Sequence, residues 1–169
     1  MILMTILTLF LASVMLYFIC IVLSMMRYHE LERPDMAPWI FTDKISNNQT
    51  IQVFNHGKSK RDFTYVKDIV QGIIHSLFVN TGQPELINLG NGQPVVLADF
   101  VRIVEERVGR KAQKVSVGMQ KGDVPTTYAD ITKAQYLLGY DPTTSIEDGI
   151  SAFVEWFREH DASQYQVAS

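Results

Sequence analysis

The chain has 169 residues, with 15 Lys and Arg against 18 Asp and Glu, which gives a net charge of -3 at neutral pH. This length suffices for one domain with a core, or for a smaller domain with an appendage. No basic excess is present, which argues against a nucleic-acid partner. The single cysteine, Cys20, excludes an intrachain disulfide framework, and the four histidines are too scattered in sequence to predict a metal site.

The N-terminal segment 1–26 contains no charged residue and is rich in Leu, Ile, Met, Val and Phe. An apolar run longer than about 20 residues can cross a bilayer as a helix, so the pattern predicts a transmembrane helix. Cations flank it only on the C-terminal side, at Arg27, Arg33 and Lys44. The positive-inside tendency then predicts a single-pass membrane protein whose soluble part is cytoplasmic, or a cytoplasmic protein if this N-terminus is not genuine.

After a polar joint over 27–34, we predict an α/β region over 35–160 and a flexible polar tail over 161–169. Its first half is predicted to contain a helix from Pro38 towards Ile45, strands Ile51–Phe54 and Asp62–Val66, and a helix capped by Asp68. The apolar positions of that helix have helical spacing and predict a core face: Ile69, Val70, Ile73, Ile74, Leu77 and Phe78.

The second half of the region continues the alternation of strands and helices. We predict a buried strand Leu86–Leu89, a helix from Val96 or Leu97 to Val108, a strand Lys114–Val117, a helix 131–138 capped by Asp130, and a helix that a capping box opens at Ser145. Between them, residues 118–125 have no hydrophobic period. Irregular loops held between regular elements are common places for ligand contacts.

A basic turn over 55–61 joins the two predicted strands in the first half. It places Arg61 at a strand edge, where a fixed guanidinium suits a phosphate or a carboxylate. The alternative is a solvated basic turn whose charges pair with Asp62 and Asp68. His56 lies in the same turn and is a further candidate for a ligand contact, whereas His75 is predicted to be a structural residue on a helix.

Two motifs of dinucleotide-dependent enzymes are absent from the sequence. No strand is followed by a GxGxxG turn, and no tyrosine is followed four residues later by a lysine. We therefore predict no cofactor-binding, catalytic or metal-binding residue in this chain.

Four stretches together resemble the C-terminal part of nucleotide-sugar epimerases in the NAD-dependent epimerase/dehydratase family, which has an extended short-chain dehydrogenase fold. The likeness is greatest to UDP-glucuronate 4-epimerases, and it lies in the motifs Arg33–Ala37, Lys60–Val70, Ile87–Asn91 and Gln120–Asp130. The resemblance implies an α/β fold that comprises the nucleotide-sugar-binding part, lacks the Rossmann cofactor half and is preceded by one apolar helix. NAD is the cofactor of that family.

The resemblance also implies roles for five residues. Arg33 would approach the sugar or its carboxylate, Phe54 would lie against the uracil, and Arg61 would contact the diphosphate of a UDP-sugar, most simply UDP-glucuronate. Gln120 and Asp123 would belong to a loop that closes over the nucleotide. Phe54 could equally be a core strand residue, and that alternative stays open.

These expectations lead to three hypotheses. The first is a truncated epimerase that keeps its UDP-sugar-binding region and is inactive alone. The second is a membrane-anchored, non-catalytic binding or scaffold protein. The third is a subunit that a separate NAD-binding chain completes in trans, with a homo-oligomer as a further form of association.

Overall fold

The computed structural model describes residues 36–160, and the described residues from Ala37 onward belong to one compact unit. The predicted apolar helix 1–26, the joint 27–34 with Arg33, and the tail 161–169 lie outside the described residues. Within 36–160, no helix combines the length and the apolar character needed to cross a bilayer.

The described region is α/β, as predicted, with five α-helices and four short strands. In chain order they are α1 (Ala37–Ser46), β1 (Thr50–Val53), a 3-10 turn (Phe54–Gly57), β2 (Lys60–Arg61), α2 (Val66–Ser76), β3 (Val95–Val96), α3 (Leu97–Val108), β4 (Gln113–Ser116), α4 (Thr132–Leu138) and α5 (Ile146–Glu159). Strand β1 pairs in parallel with β4, in the register Ile51 to Lys114, and β2 pairs antiparallel with β3.

The main hydrophobic core lies among α1, β1, α3 and α5. Helix α3 contributes Phe100, Val101 and Val104, and α5 contributes Ile150 and Val154, all buried. Their spacing of three and four residues places them on one face of each helix, as the sequence predicts. Each fully buried side chain of this size contributes about 1.5–3 kcal/mol through removal from water, so these helices hold the framework of the site in place.

Helix ends agree with the predicted start and stop signals in α3 and α5. Gly109 ends α3 with a left-handed φ of 80°, which glycine adopts without steric cost. Ser145 caps α5 by accepting a hydrogen bond from the Asp148 N–H at 3.0 Å. At α4 the capping position is Ile131, although the Asp130 carboxylate accepts a hydrogen bond from the Thr132 N–H and supports the first turn.

The predicted strand Asp62–Val66 is wrong. The strand in this stretch is Lys60–Arg61, residues 62–65 belong to no helix or strand, and Val66 already begins α2. The capping residue of α2 is Tyr65, so the predicted cap at Asp68 is also wrong. Asp68 instead lies buried in the first turn, where its carboxylate accepts a hydrogen bond from the Thr144 N–H.

Two further predictions fail around α2. Its apolar face is not a core face, because Ile74, Leu77 and Phe78 are exposed. The predicted strand Leu86–Leu89 is also not a strand among the described residues, and only Ile87 and Leu89 are partly buried, against a small cluster formed by Ala134, Leu138 and Tyr140. A strand needs a neighbouring strand to satisfy its backbone groups, and residues 36–160 offer none at this position.

Candidate functional site

Arg61 lies at the end of β2, where its side chain is 28% exposed and firmly held. Its Nη1 atom donates hydrogen bonds to the carbonyl oxygens of Lys60 and Val124, both at 2.9 Å. Its Nη2 atom donates to Asp123 Oδ1 at 2.5 Å, which forms an ion pair. The alternative pairing of this basic turn with Asp62 and Asp68 is therefore wrong for Arg61.

These contacts leave part of the guanidinium available. A guanidinium has five N–H donors in one plane, and the bonds to Lys60, Val124 and Asp123 use three of them within residues 36–160. The remaining donors lie on the same rigid fork, so their direction is fixed by the bonds already made. Such preorganised donors suit an anionic oxygen, because little side-chain entropy is lost when the anion binds.

Backbone hydrogen bonds hold the loop 118–125 beside Arg61. The Lys60 N–H donates to the Pro125 carbonyl oxygen at 2.8 Å, and the Thr127 N–H donates to the Lys60 carbonyl oxygen at 3.2 Å. The loop itself turns at Gly122, with a φ of 87° and a hydrogen bond from the Asp123 N–H to the Gln120 carbonyl oxygen. The structure thus brings Asp123 and its loop to β2, across more than sixty residues of sequence.

Asp62 connects three chain segments next to Arg61, and the sequence analysis did not identify it as a site residue. Its carboxylate accepts hydrogen bonds from the backbone N–H groups of Asn91 at 3.2 Å, Gly92 at 3.0 Å and Ala129 at 2.9 Å. A carboxylate that accepts several N–H groups forms strong charge-assisted bonds. The one sequence signal was that Asp62, Asn91 and Ala129 lie in three of the four motifs that carried the resemblance.

Close packing supports the same junction. A Cβ atom on Gly90 would lie 2.5 Å from the Ala129 Cβ and 3.1 Å from Asp62 Oδ2, so only glycine fits there. The Gly90 carbonyl oxygen accepts a hydrogen bond from the buried Tyr140 hydroxyl at 2.9 Å. Burial, together with the nearby charges of Asp68 and Asp62, raises the pKa of Tyr140 above its ordinary value of 10.0. The hydroxyl therefore stays protonated and donates to Gly90 at neutral pH.

The other predicted site residues are Phe54, Gln120 and Arg33. Phe54 is half-buried in the 3-10 turn after β1, and the described hydrophobic core does not include it. Gln120 is exposed at the start of the turn that carries Asp123. The structure brings Arg61 and Asp123 into contact. The segments that carry Phe54 and Gln120 are joined by a backbone hydrogen bond of 3.4 Å from the Asn55 N–H to the Gly118 carbonyl oxygen. Arg33 lies outside the described residues.

The two histidines have separate surroundings. His56 occupies a left-handed backbone position with a φ of 51°, and its Nδ1 atom lies 2.7 Å from Ser116 Oγ. Non-glycine residues seldom adopt this conformation, which is common at binding sites but does not define one. His75 Nδ1 lies 2.9 Å from the Leu138 carbonyl oxygen, and this contact ties α2 to α4 in agreement with its predicted structural role.

A shallow cleft lies beside β2, lined by Lys60, Gly92, Pro94, Thr126 and Tyr128. None of the predicted site residues lines it, so we do not assign the anion site to this cleft. In the described part of the chain, no group of three or more His, Cys, Asp and Glu side chains could hold a metal ion.

The residues described here do not fit a dinucleotide cofactor. In a dinucleotide site a glycine-rich turn separates a strand from a helix, so that the backbone can approach the pyrophosphate. Strand β3 leads into α3 directly at Leu97, with no glycine between them. Strand β1 leads only into a 3-10 turn. The described residues thus hold no such cradle.

Comparison with known proteins identifies the family to which this chain belongs. The family described as GDP-mannose 4,6 dehydratase matches residues 27–153, which is most of the chain. The chain therefore belongs to the NAD-dependent epimerase/dehydratase family, and it corresponds to the C-terminal region of that fold.

Individual relatives also match most of this chain. The chain is 43% identical over 133 residues to an uncharacterized protein of Methanocaldococcus jannaschii, a match that covers 79% of this chain and 40% of that protein. It is 38% identical over 146 residues to a probable UDP-glucuronate 4-epimerase of Rhizobium meliloti, which covers 76% and 43%.

A solved structure of an epimerase also matches this chain. The crystal structure of UDP-glucuronic acid 4-epimerase from Bacillus cereus in complex with UDP-glucuronic acid and NAD matches with a TM-score of 0.71 and 31% identity, covering 76% of this chain and 41% of that one. The chain thus spans about two fifths of the length of the relatives that it matches.

Proposed function

We propose that residues 36–160 form the nucleotide-sugar-binding part of an epimerase that acts on UDP-glucuronate. The observation that carries the proposal is the fixed Arg61 fork, which keeps free donors at the point where the loop of Asp123 meets β2. The resemblance assigns a diphosphate contact to this arginine. Relatives named as UDP-glucuronate 4-epimerases, one of them solved with UDP-glucuronic acid and NAD, support the choice of sugar.

In this proposal each site residue has one task. Arg61 donates to the diphosphate oxygens, and Asp123 keeps the guanidinium oriented. Phe54 offers one ring face to the uracil, and Gln120 lies on the loop that closes over the nucleotide. The resemblance assigns the sugar or its carboxylate to Arg33, which lies outside the described residues. The half-buried position of Phe54 is compatible with stacking, because a ring at the edge of a site can be covered by a base.

Inversion at a sugar carbon through hydride removal and return needs NAD and a general base. The sequence contains neither a Gly-rich turn nor a Tyr-x-x-x-Lys pair, and the described residues do not fit the cofactor. We therefore propose that this chain binds the substrate but does not turn it over alone. The alternative of a membrane-anchored binding protein depends on segment 1–26, which lies outside the described residues.

Calorimetric titration of the full chain tests this proposal. UDP-glucuronate is the ligand, and free glucuronate is the matched control because it lacks the diphosphate and the base. We expect saturable binding of UDP-glucuronate only. A chain that is folded by circular dichroism and binds neither ligand, or binds both alike, would show that the described region does not recognise a nucleotide sugar.

A further inference from the structure

The connection between β1 and β2 contains three consecutive residues with positive φ, here called the left-handed turn. Asn55, His56 and Gly57 have φ angles of 48°, 51° and 76°. Glycine adopts this region freely, whereas a residue with a Cβ atom incurs a steric cost there and usually does so singly. A run of three, two of them not glycine, therefore needs surrounding contacts that hold it in place.

Helix α3 fixes one side of the left-handed turn. Gly57 is buried, and a Cβ atom on it would lie 3.2 Å from the Ala98 Cβ. The carbonyl oxygen of the buried Ser59 accepts a hydrogen bond from the Leu97 N–H at 2.8 Å, and its hydroxyl accepts one from Asn55 Nδ2 at 3.2 Å. The turn is thus joined to the N-terminal end of a helix that belongs to the main core.

The other side of the turn holds the segment where the loop 118–125 begins. The Asn55 N–H donates to the Gly118 carbonyl oxygen at 3.4 Å, and the His56 N–H donates to the Val117 carbonyl oxygen at 3.2 Å. Successive N–H groups of an extended strand point to opposite sides, so a strand at this position could not make both contacts. The left-handed conformation directs both N–H groups towards one neighbouring segment.

Two more contacts fix the same segment. His56 Nδ1 lies 2.7 Å from Oγ of Ser116, the last residue of β4, and the Val117 N–H donates to the Val53 carbonyl oxygen at 3.1 Å. The pairing of β1 with β4 thus continues beyond the two strands as far as the left-handed turn. The loop that follows therefore starts from a fixed point beside Phe54.

This loop has an anchor at each end. The Arg61–Asp123 ion pair lies near its end, and the left-handed turn lies at its start. Gln120 is only two residues beyond the carbonyl group that Asn55 binds. Its position relative to Phe54 therefore depends on the anchor at the start of the loop.

We propose that Asn55 and His56 are positioning residues of the nucleotide-sugar site, whose left-handed backbone fixes the separation of Phe54 and Gln120 and thus the space for the nucleoside. This inference rests on the proposed function, which assigns the uracil to Phe54 and nucleotide closure to the loop. The two anchors then have separate tasks. Arg61 and its ion pair serve the diphosphate end, and the left-handed turn serves the nucleoside end.

Amide hydrogen exchange in the free chain tests the anchor at the start of the loop. His56→Val places a β-branched residue at a positive φ, which such residues very rarely adopt. We expect the Val117 and Asp123 amides to exchange at least about tenfold faster, while the amides of α5 keep their wild-type rates. Unchanged exchange at Val117 and Asp123 in His56→Val overturns the proposal.

His56→Gly separates the backbone conformation from the imidazole. This variant also lacks the contact with Ser116, but glycine accommodates the φ of 51°. We expect exchange within about threefold of the wild type. Exchange as fast as in His56→Val would assign the anchor to the side chain and would overturn the positioning role of the backbone.

Two ligands distinguish positioning from a general loss of structure. UDP-glucuronate occupies both ends of the site, whereas inorganic pyrophosphate occupies only the Arg61 end. In NMR titrations that follow the Arg61 Nε–H signal, His56→Val should weaken UDP-glucuronate binding about fivefold or more and change pyrophosphate binding by less than about twofold. His56→Gly should restore the affinity for UDP-glucuronate. Equal weakening of both ligands, or of neither, overturns the proposal.

Asn48→Val is the matched control. Asn48 is exposed and also has a positive φ, of 56°, but it precedes β1 at the opposite end of the β1–β4 pair. The same type of residue thus enters the same kind of backbone position, away from the loop. We expect an affinity for UDP-glucuronate within about twofold of the wild type. A control that weakens binding as much as His56→Val would assign the effect to strand stability and overturn the proposal.

Circular dichroism verifies that each variant folds. If His56→Val does not fold, His56→Ala replaces it, since alanine lacks the branch and is less strained at a positive φ. A His56→Ala chain equal to His56→Gly in both exchange and affinity overturns the proposal. A wild-type chain that does not bind UDP-glucuronate overturns the proposed function instead. Because the exchange measurement uses no ligand, it still decides whether the left-handed turn anchors the loop.

Discussion

Arg61 and Asp123, which are 62 positions apart in the sequence, form a hydrogen-bonded ion pair of 2.5 Å at the junction of a strand and an irregular loop. The pair orients the guanidinium that we assign to the diphosphate. Asp123 also accepts a hydrogen bond from the Val124 N–H, so the same carboxylate shapes the loop and holds the arginine. Binding and loop structure are therefore coupled at this contact.

A double-mutant cycle measures this coupling. With Arg61→Ala, Asp123→Ala and the double variant, we expect a coupling energy of about 1 kcal/mol in the free energy of unfolding, because the pair is partly buried. The matched cycle uses Arg102 and Glu106, an i,i+4 pair that is half exposed on α3. Its coupling should be about 0.5 kcal/mol or less. Equal coupling energies for the two pairs would contradict the claim that the Arg61–Asp123 pair is held more strongly than an exposed ion pair.

Asp62 should be important for stability because its carboxylate accepts three backbone N–H groups. Asp62→Ala leaves those donors without an acceptor, and we expect a loss of about 2–3 kcal/mol in urea denaturation. Asp141→Ala removes an exposed carboxylate and is the control, with an expected change within about 0.5 kcal/mol. A loss at Asp62 no larger than that of the control would show that the three-segment junction is not held by this carboxylate.

Gly90 should not tolerate a side chain. Gly90→Ala would place its Cβ 2.5 Å from the Ala129 Cβ, and we expect overpacking to cost about 1–3 kcal/mol. Gly118 provides the control because nothing lies within 4 Å of a Cβ built there. Thermal unfolding of the two variants compares them directly. If Gly90→Ala unfolds at the temperature of Gly118→Ala, the close approach of Ala129 to Gly90 is not present in solution.

The buried Tyr140 hydroxyl predicts a loss of stability at alkaline pH. Its pKa is raised in the folded chain, so folding favours the protonated hydroxyl. The contribution is complete below the ordinary value of 10.0 and is lost as the pH rises through the higher folded pKa. We expect the free energy of unfolding to decline above pH 10, and to decline less steeply in Tyr140→Phe.

At neutral pH, Tyr140→Phe should cost about 1 kcal/mol, because the hydrogen bond to Gly90 is lost. Tyr136→Phe removes a hydroxyl from an exposed ring and is the control for both measurements. An alkaline decline that is as steep in Tyr140→Phe as in the wild type would assign it to another group.

Local sequence signals, namely apolar spacing and helix-end residues, were sufficient to predict much of the fold. The helices α1, α3 and α5 and the strands β1 and β4 were predicted close to their observed bounds, because their apolar spacing and end signals agree with their packing. The strand Asp62–Val66 failed for a tertiary reason. Asp62 is held by N–H groups 29 to 67 positions away, and Phe63 stacks on Phe100 with ring centroids 4.3 Å apart. Neither partner is visible in local periodicity.

The candidate site, like the fold, could be predicted from the sequence only in part. The sequence identified Arg61 as a candidate anion ligand and the loop 118–125 as a candidate place for ligand contacts. It did not predict the contact between Arg61 and Asp123, which depends on backbone pairing between β2 and residues 125–127. The predicted strand Leu86–Leu89 is not a strand in the described region, although three of its four residues are apolar. The pattern of apolar residues identifies a segment that could be buried, but it does not identify what that segment packs against.

The most direct test of the nucleotide site is the affinity of the full chain for UDP-glucuronate in two arginine variants, measured by calorimetry. Arg61→Ala should weaken binding about tenfold or more, since hydrogen bonds to charged groups contribute about 1.5–3 kcal/mol. Arg102→Ala, at an exposed arginine of α3, should bind within about twofold of the wild type. Equal affinities in the two variants would contradict the assignment of the diphosphate to Arg61.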